Sequence, residues 1–246
     1  MKSQVAFSYG GHCLDSSVDG FITLSVSGRG GFTRAVTATD LASDGAKYLS
    51  SRLESKKLTI KFFLKSASLD DLMAKLGNLK QITAAKNTVV SFADDPLYKY
   101  VGTVTSVTLD DTTLHPTGSI EVTLSDPYCY SITRQKTGTG KTVAFADYDS
   151  EFSNIPLSVE FTPSSAISAF QMTSNQGKKF LLNQSVSAGK KIVVDFRTLS
   201  CTVNGASVLS SVSLNSNFAD FTIDKNTTLT FNSSGEYVVR FEVKKL

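Results

Sequence analysis

The sequence predicts a mainly β protein, with an N-terminal α+β part that holds one helix and an all-β C-terminal part. Three observations carry this reading. Strand-period alternation recurs along the whole chain, one segment alone has helical spacing, and the last hundred or so residues are short apolar runs separated by turn pairs.

The clearest strand is KLTIKFFLK at 57–65. Leu58, Ile60, Phe62 and Leu64 fall on one face, and Lys57, Thr59, Lys61 and Lys65 on the other. A period of two is that of a half-buried antiparallel strand. The same alternation occurs at Ile22/Leu24/Val26, Ile120/Val122/Leu124, Ile192/Val194/Phe196 and Tyr237/Val239/Phe241/Val243.

The helix is SLDDLMAKLGNLKQI at 68–82. Leu69, Leu72, Met73, Leu76, Leu79 and Ile82 recur at helical spacing. Ser68 is the N-cap, and Asp70 and Asp71 occupy the first turn, where the helix dipole favours anions. Gly77 costs this helix about 1 kcal/mol relative to Ala.

Residues 133–142, TRQKTGTGKT, are small, polar and without periodicity, which predicts a linker extending over 133–150 between domains 1–132 and 151–246. Beyond it, short strands with turn pairs at Asn204-Gly205 and Ser234-Gly235 read as a small β-sandwich.

Composition narrows the function. The chain has 246 residues, 41% hydrophobic and 19% charged, with 34 Ser, 26 Thr, two His and no Trp, and a mean hydropathy of −0.02. A core is affordable and disorder is excluded. The net charge of +3 is spread over both halves, so a nucleic-acid-binding stripe is not expected. No run approaches the ~18 apolar residues of a membrane span, and the N-terminus lacks the apolar segment of a signal peptide, so the expectation is a protein made and kept in the cytoplasm or exported by a route that does not read this terminus. Cys13, Cys129 and Cys201 lie far apart without a CxxC pair, which argues for reduced thiols and against a zinc site.

Catalytic motifs fail on their missing parts. Gly138-Thr139-Gly140-Lys141-Thr142 looks like the end of a phosphate-binding loop, but Gln135 stands where the first glycine belongs and no helix pattern follows. The acidic pairs Asp70-Asp71, Asp94-Asp95 and Asp110-Asp111 read as a helix start, a turn before Pro96 and a hairpin tip. His12 and His115 are distant loop residues, and neither GxSxG nor HExxH is present. No catalytic residue, cofactor or metal is predicted.

An ordered set of features does resemble a known family. Ser27-Gly28-Arg29-Gly30 ends a strand, followed by an Asp44-Gly45-Ala46 turn, Tyr48, Ser51-Arg52-Leu53-Glu54, the strand at 57–65 and the helix. Phe92, Asp94, Pro96, Tyr98 and Tyr100 then fill an FxDxPxxYY pattern, and Asp126-Pro127-Tyr128 a closing DPY. This order resembles the N-terminal domain of the distal tail proteins of phages with long, non-contractile tails. NIPLSVEF and the stretch 178–206 resemble that family's galectin-like C-terminal sandwich. Ile223-Asp224-Lys225-Asn226 departs from its Pro-Gly-x-Asn turn.

The resemblance implies a split-barrel-like first domain, a galectin-like second one and a structural role in the virion. It implies a homo-hexameric ring at the tail tip, assembled in the host cytoplasm, that joins the tail tube protein to the tail-associated lysin and a receptor-binding protein. DNA would pass the central channel without specific binding. Arg29, Arg34, Asp94 and Asp95 flank strand ends in the matched motifs and are the candidate ring contacts, although an ordinary solvated charge is the plainer reading of each. The alternatives are a carbohydrate-binding adhesin, with Tyr237 and Phe180 as its stacking side chains, and a cell-wall-degrading enzyme.

Overall fold

Burial of alternate residues organises the chain. The computed structural model describes residues 3–110 and 113–246 and divides the chain into two units, Met1–Cys129 and Tyr130–Lys245. Asp111, the second member of the expected acidic pair, lies outside the described residues.

The first unit contains strands β1 (Phe7–Tyr9), β2 (His12–Cys13), β3 (Phe21–Ser27), β4 (Arg34–Asp40), β5 (Ala46–Leu53), β6 (Lys56–Leu64), β7 (Thr88–Phe92), β8 (Asp95–Leu109) and β9 (Thr117–Leu124). Helices α1 (Leu14–Ser17) and α2 (Leu69–Thr83) accompany them. Seven strands form an antiparallel sheet in the order β2-β1-β7-β8-β9-β6-β3. Along β6, Leu58, Ile60, Phe62 and Leu64 are completely buried, as their alternation predicts. Phe62 stacks on Phe21 at 4.9 Å and crosses Gly118, where a Cβ would meet its ring at 2.6 Å. The 15-residue β8 pairs with β7 through its first half and with β9 through its second, with the register shifting between Val104 and Ser106. That bulge bends the strand and curls the sheet.

Helix α2 covers this core with Leu72 and Leu79. Ser68 caps it by accepting from the Asp71 amide at 3.2 Å, and the Asp71 carboxylate accepts from the Ala67 amide at 2.8 Å. Leu69 and Met73, which helical spacing assigns to the apolar face, are each 58% exposed. They lie on the margin of the stripe, one turn apart and away from Leu72 and Leu79.

Strand β10 (Cys129–Ser131) stands at the division between the units. The second unit holds β11 (Arg134–Ala144), β12 (Ser158–Pro163), β13 (Phe170–Ser174), β14 (Lys179–Leu182), β15 (Ile192–Asp195), β16 (Ser200–Val203), β17 (Ala206–Ser207), β18 (Thr228–Phe241) and β19 (Lys244–Lys245). Its core is built from Phe145, Phe161, Phe170, Phe180, Phe196, Phe221, Phe231 and Phe241 with aliphatic neighbours, in a β-sandwich. Asn204 and Gly205 have φ of 51° and 86° and form the predicted turn between β16 and β17.

Two expectations change here. Residues 134–144, read as linker, form a strand paired to β18 from Arg134 opposite Phe241 to Ala144 opposite Thr228. Thr and Lys alternate there with small residues, so a backbone ladder forms without the apolar signal that marks other strands. Ser234-Gly235, read as a turn, lies inside β18. Gly235 sits there because a Cβ would come within 2.3 Å of the Thr162 carbonyl oxygen on β12.

Candidate assembly site

Strands β4 and β5 depart from the alternate burial seen along β6, β9 and β13. They pair with each other from Arg34 opposite Leu53 to Asp40 opposite Ala46 and form a two-stranded sheet of their own. No residue of either strand is fully buried. Val36 is 59% and Tyr48 60% exposed, and Phe32, Leu41 and Leu49 are each at least half exposed. A lone two-stranded ribbon is marginal in water, because neither face is covered. A ribbon that also presents five large apolar side chains is built to be covered.

The ribbon grows from a tightly specified root. Gly28, just after β3, has φ of 92°, and a Cβ there would meet the Lys57 carbonyl oxygen at 2.2 Å. Only glycine permits both the backbone conformation and the approach. Arg29 follows and donates from Nη1 to Asp94 Oδ1 at 2.8 Å and from Nη2 to Oδ2 at 2.5 Å. Its guanidinium lies 4.7 Å from the centre of the Phe92 ring. Phe92 in turn stacks on Phe7 at 5.8 Å. The Lys56 ammonium donates to the Arg29 carbonyl oxygen at 2.8 Å, and the Thr33 carbonyl accepts from the Glu54 amide at 2.9 Å.

Charge at the root is mutually adjusted. The Asp94 carboxylate raises Arg29 above the usual guanidinium value, and Arg29 holds the Asp94 carboxyl below the usual carboxylate range. Burial lowers the Lys56 amine. Burial also pushes the Tyr100 hydroxyl up to about 12 and raises the Cys129 thiol. Asp95, at the start of β8, adds its field to Arg29, Tyr100 and Cys129.

Three of the four charges expected to contact a ring neighbour, Arg29, Asp94 and Asp95, therefore meet at the root. Arg34 stands apart on the ribbon, where Nη1 donates to Ser51 Oγ at 3.3 Å and the guanidinium carbon lies 6.0 Å from the centre of the Phe32 ring. Arg29 and Asp94 spend their charges on each other within one chain. Sequence reasoning missed Lys56 as their partner, because a Lys at a strand start normally faces water. It also missed the exposed apolar set, since Val36, Tyr48 and Leu49 have no regular period.

The remaining candidates do not gather. Gly138–Thr142 runs along β11 as a strand, so its amides serve the ladder to β18 and do not form a phosphate cradle. Phe180 is fully buried, and Tyr237 is half-buried and packs on Phe231 at 5.7 Å, so the two do not form the exposed stacking pair considered from the sequence. His115 accepts at Nδ1 from the Ser66 amide at 3.3 Å. Among the described residues no three His, Cys, Asp or Glu side chains converge to hold a metal, and no helix is long and apolar enough to cross a membrane.

Comparison with known proteins adds the decisive observation for the second unit. Residues 153–244 match the model of the siphovirus-type tail component, C-terminal domain, of the SPP1 Dit family. The chain is also similar to the crystal structure of the SPP1 Dit protein (gp 19.1), described as a paradigm of the hub adsorption apparatus in Gram-positive infecting phages. The TM-score is 0.82 at 17% identity, over 98% of this chain and 99% of that one. A second match is the phage p2 baseplate in its activated conformation, with a TM-score of 0.53 at 8% identity over 92% of this chain and 91% of that one. The likeness to distal tail proteins read from motif order thus holds in the fold of both units. No curated protein sequence matches the chain.

Proposed function

We propose that this chain is a distal tail protein, the hub at the tip of a siphovirus tail. The observation that carries the reading is the end-to-end fold likeness to a hub protein, SPP1 Dit. In this reading six copies close a ring in the virion, between the tail tube protein on one side and the tail-associated lysin and a receptor-binding protein on the other. The first unit forms the ring and the galectin-like second unit faces the adhesion apparatus.

The physical chemistry supports the assignment. A closed ring needs a heterologous contact, in which one surface of a subunit meets a different surface of the next. The β4–β5 ribbon supplies a projecting apolar element. Strand β3 ends the order of the sheet among the described residues and supplies an edge of the kind that accepts strands, with its Thr23 amide already bound to Asp15. The net charge of +3 suits a channel wall that DNA slides past, since affinity for DNA grows with each phosphate neutralised. The role is structural, with no reaction to perform.

The test separates interface from fold. Val36→Asp combined with Tyr48→Asp places two charges on the ribbon without touching either core. In analytical ultracentrifugation the wild type sediments as a ring and the double variant as a monomer, with unchanged thermal unfolding of the monomer. Rings from the variant at wild-type concentration would contradict the proposed contact.

A further inference from the structure

Arg29 is held at three points within four residues of a free pivot. Its fork clasps Asp94, its flat face rests on Phe92, and its carbonyl receives the Lys56 ammonium. Asp94 belongs to the turn between β7 and β8, deep in the order of the sheet. Lys56 is the first residue of β6, where the chain returns from the ribbon, and is only 6% exposed. The two ties therefore fasten the outgoing leg of the ribbon to the sheet and to its own returning leg. Immediately beyond, Gly30 and Gly31 have nothing within 4 Å of the position a Cβ would take. A fixed residue followed by two unobstructed glycines is the arrangement of a latch and a hinge.

The chemistry of each tie specifies direction. A planar guanidinium bound edge-on to a carboxylate fixes an orientation as well as a distance, which an ammonium on a flexible stem does not. The aromatic face below adds a second plane restriction. The Lys56 amine has little solvent to turn to, so releasing the Arg29 carbonyl leaves a buried donor without that partner. We propose that Arg29, Asp94 and Lys56 are positioning residues that set the angle at which the β4–β5 ribbon leaves the sheet, with Gly30–Gly31 as the pivot. That the angle presents the ribbon to a neighbouring copy rests on the hub reading above. The angle itself does not depend on that reading.

The test uses the full chain with Cys13→Ser, and nitroxide labels at Thr39→Cys on the ribbon and Lys61→Cys on the sheet. Distances are measured by double electron–electron resonance on the monomer fraction. Arg29→Ala broadens or shifts the Thr39–Lys61 distribution, Arg29→Lys restores it only in part, and Lys56→Met, which keeps the buried stem, broadens it independently. The same variants raise the concentration needed for ring formation by about tenfold, the equivalent of 1.4 kcal/mol. Circular dichroism melts identify any variant that is not folded, and Lys56→Met and Arg29→Lys then carry the comparison. Distributions as narrow and centred as in the parent overturn the latch, whatever happens to assembly. Broadened distributions with unchanged assembly uphold the latch and overturn the docking role of the ribbon.

Discussion

Arg29 and Asp94 meet edge to edge, with Nη1 2.8 Å from Oδ1 and Nη2 2.5 Å from Oδ2, across 65 residues of sequence. The pair ties the segment leaving β3 to the turn that opens β8, and its strength depends on the charge of Asp94. Because Arg29 depresses the Asp94 carboxyl below 3.8, the stabilisation is complete above that value and is lost as pH falls through the lower folded value. Asp94→Asn therefore lowers the melting temperature at neutral pH, and the difference from wild type closes in acid well below 3.8. Thermal unfolding of both proteins at the two pH values checks this. A gap of equal size at both would show that the charge is not its source.

Phe62 offers a stability prediction for the first unit. It is fully buried, stacks on Phe21 and lies over Gly118, so truncation opens a cavity that neighbouring strands cannot fill. Phe62→Ala is expected to cost about 3–5 kcal/mol. Denaturant unfolding measures it, with the loss confined to the transition of the first unit.

Thiol chemistry separates the three cysteines. Cys129 and Cys201 are buried, and burial pushes the Cys201 thiol up to about 11 and raises that of Cys129, so neither offers a thiolate near pH 8. Cys13 is partly exposed. A chromogenic disulfide reagent at pH 8 should titrate one thiol in the native protein and three in denaturant, and substitution of Cys13 by Ser should abolish the native reaction.

Much of this architecture is legible in the sequence because burial leaves a period. Leu58, Ile60, Phe62 and Leu64 mark one face of β6, and Ser68 with Asp70 and Asp71 marks the start of α2. Where structure is held by backbone alone, the period vanishes. Strand β11 reads as a linker because from Arg134 to Thr142 it pairs with β18 without an apolar side chain, Val143 alone entering the core. Gly235 reads as a turn because sequence does not distinguish a glycine that bends the chain from one that lets the Thr162 carbonyl approach. The root of the ribbon is partly legible. Motif order singled out Arg29, Arg34, Asp94 and Asp95, but the burial of Lys56 and the uncovered state of Val36 and Tyr48 are properties of the folded unit. A ribbon that its own chain leaves exposed carries no period for burial to impose.

As a hub, this chain would close into a ring. Cryo-electron microscopy of the purified chain tests this through reference-free class averages viewed down the particle axis. Closed six-fold rings with an open central channel are the expected result. Monomers at every concentration, or open filaments without a closed symmetry, would contradict it.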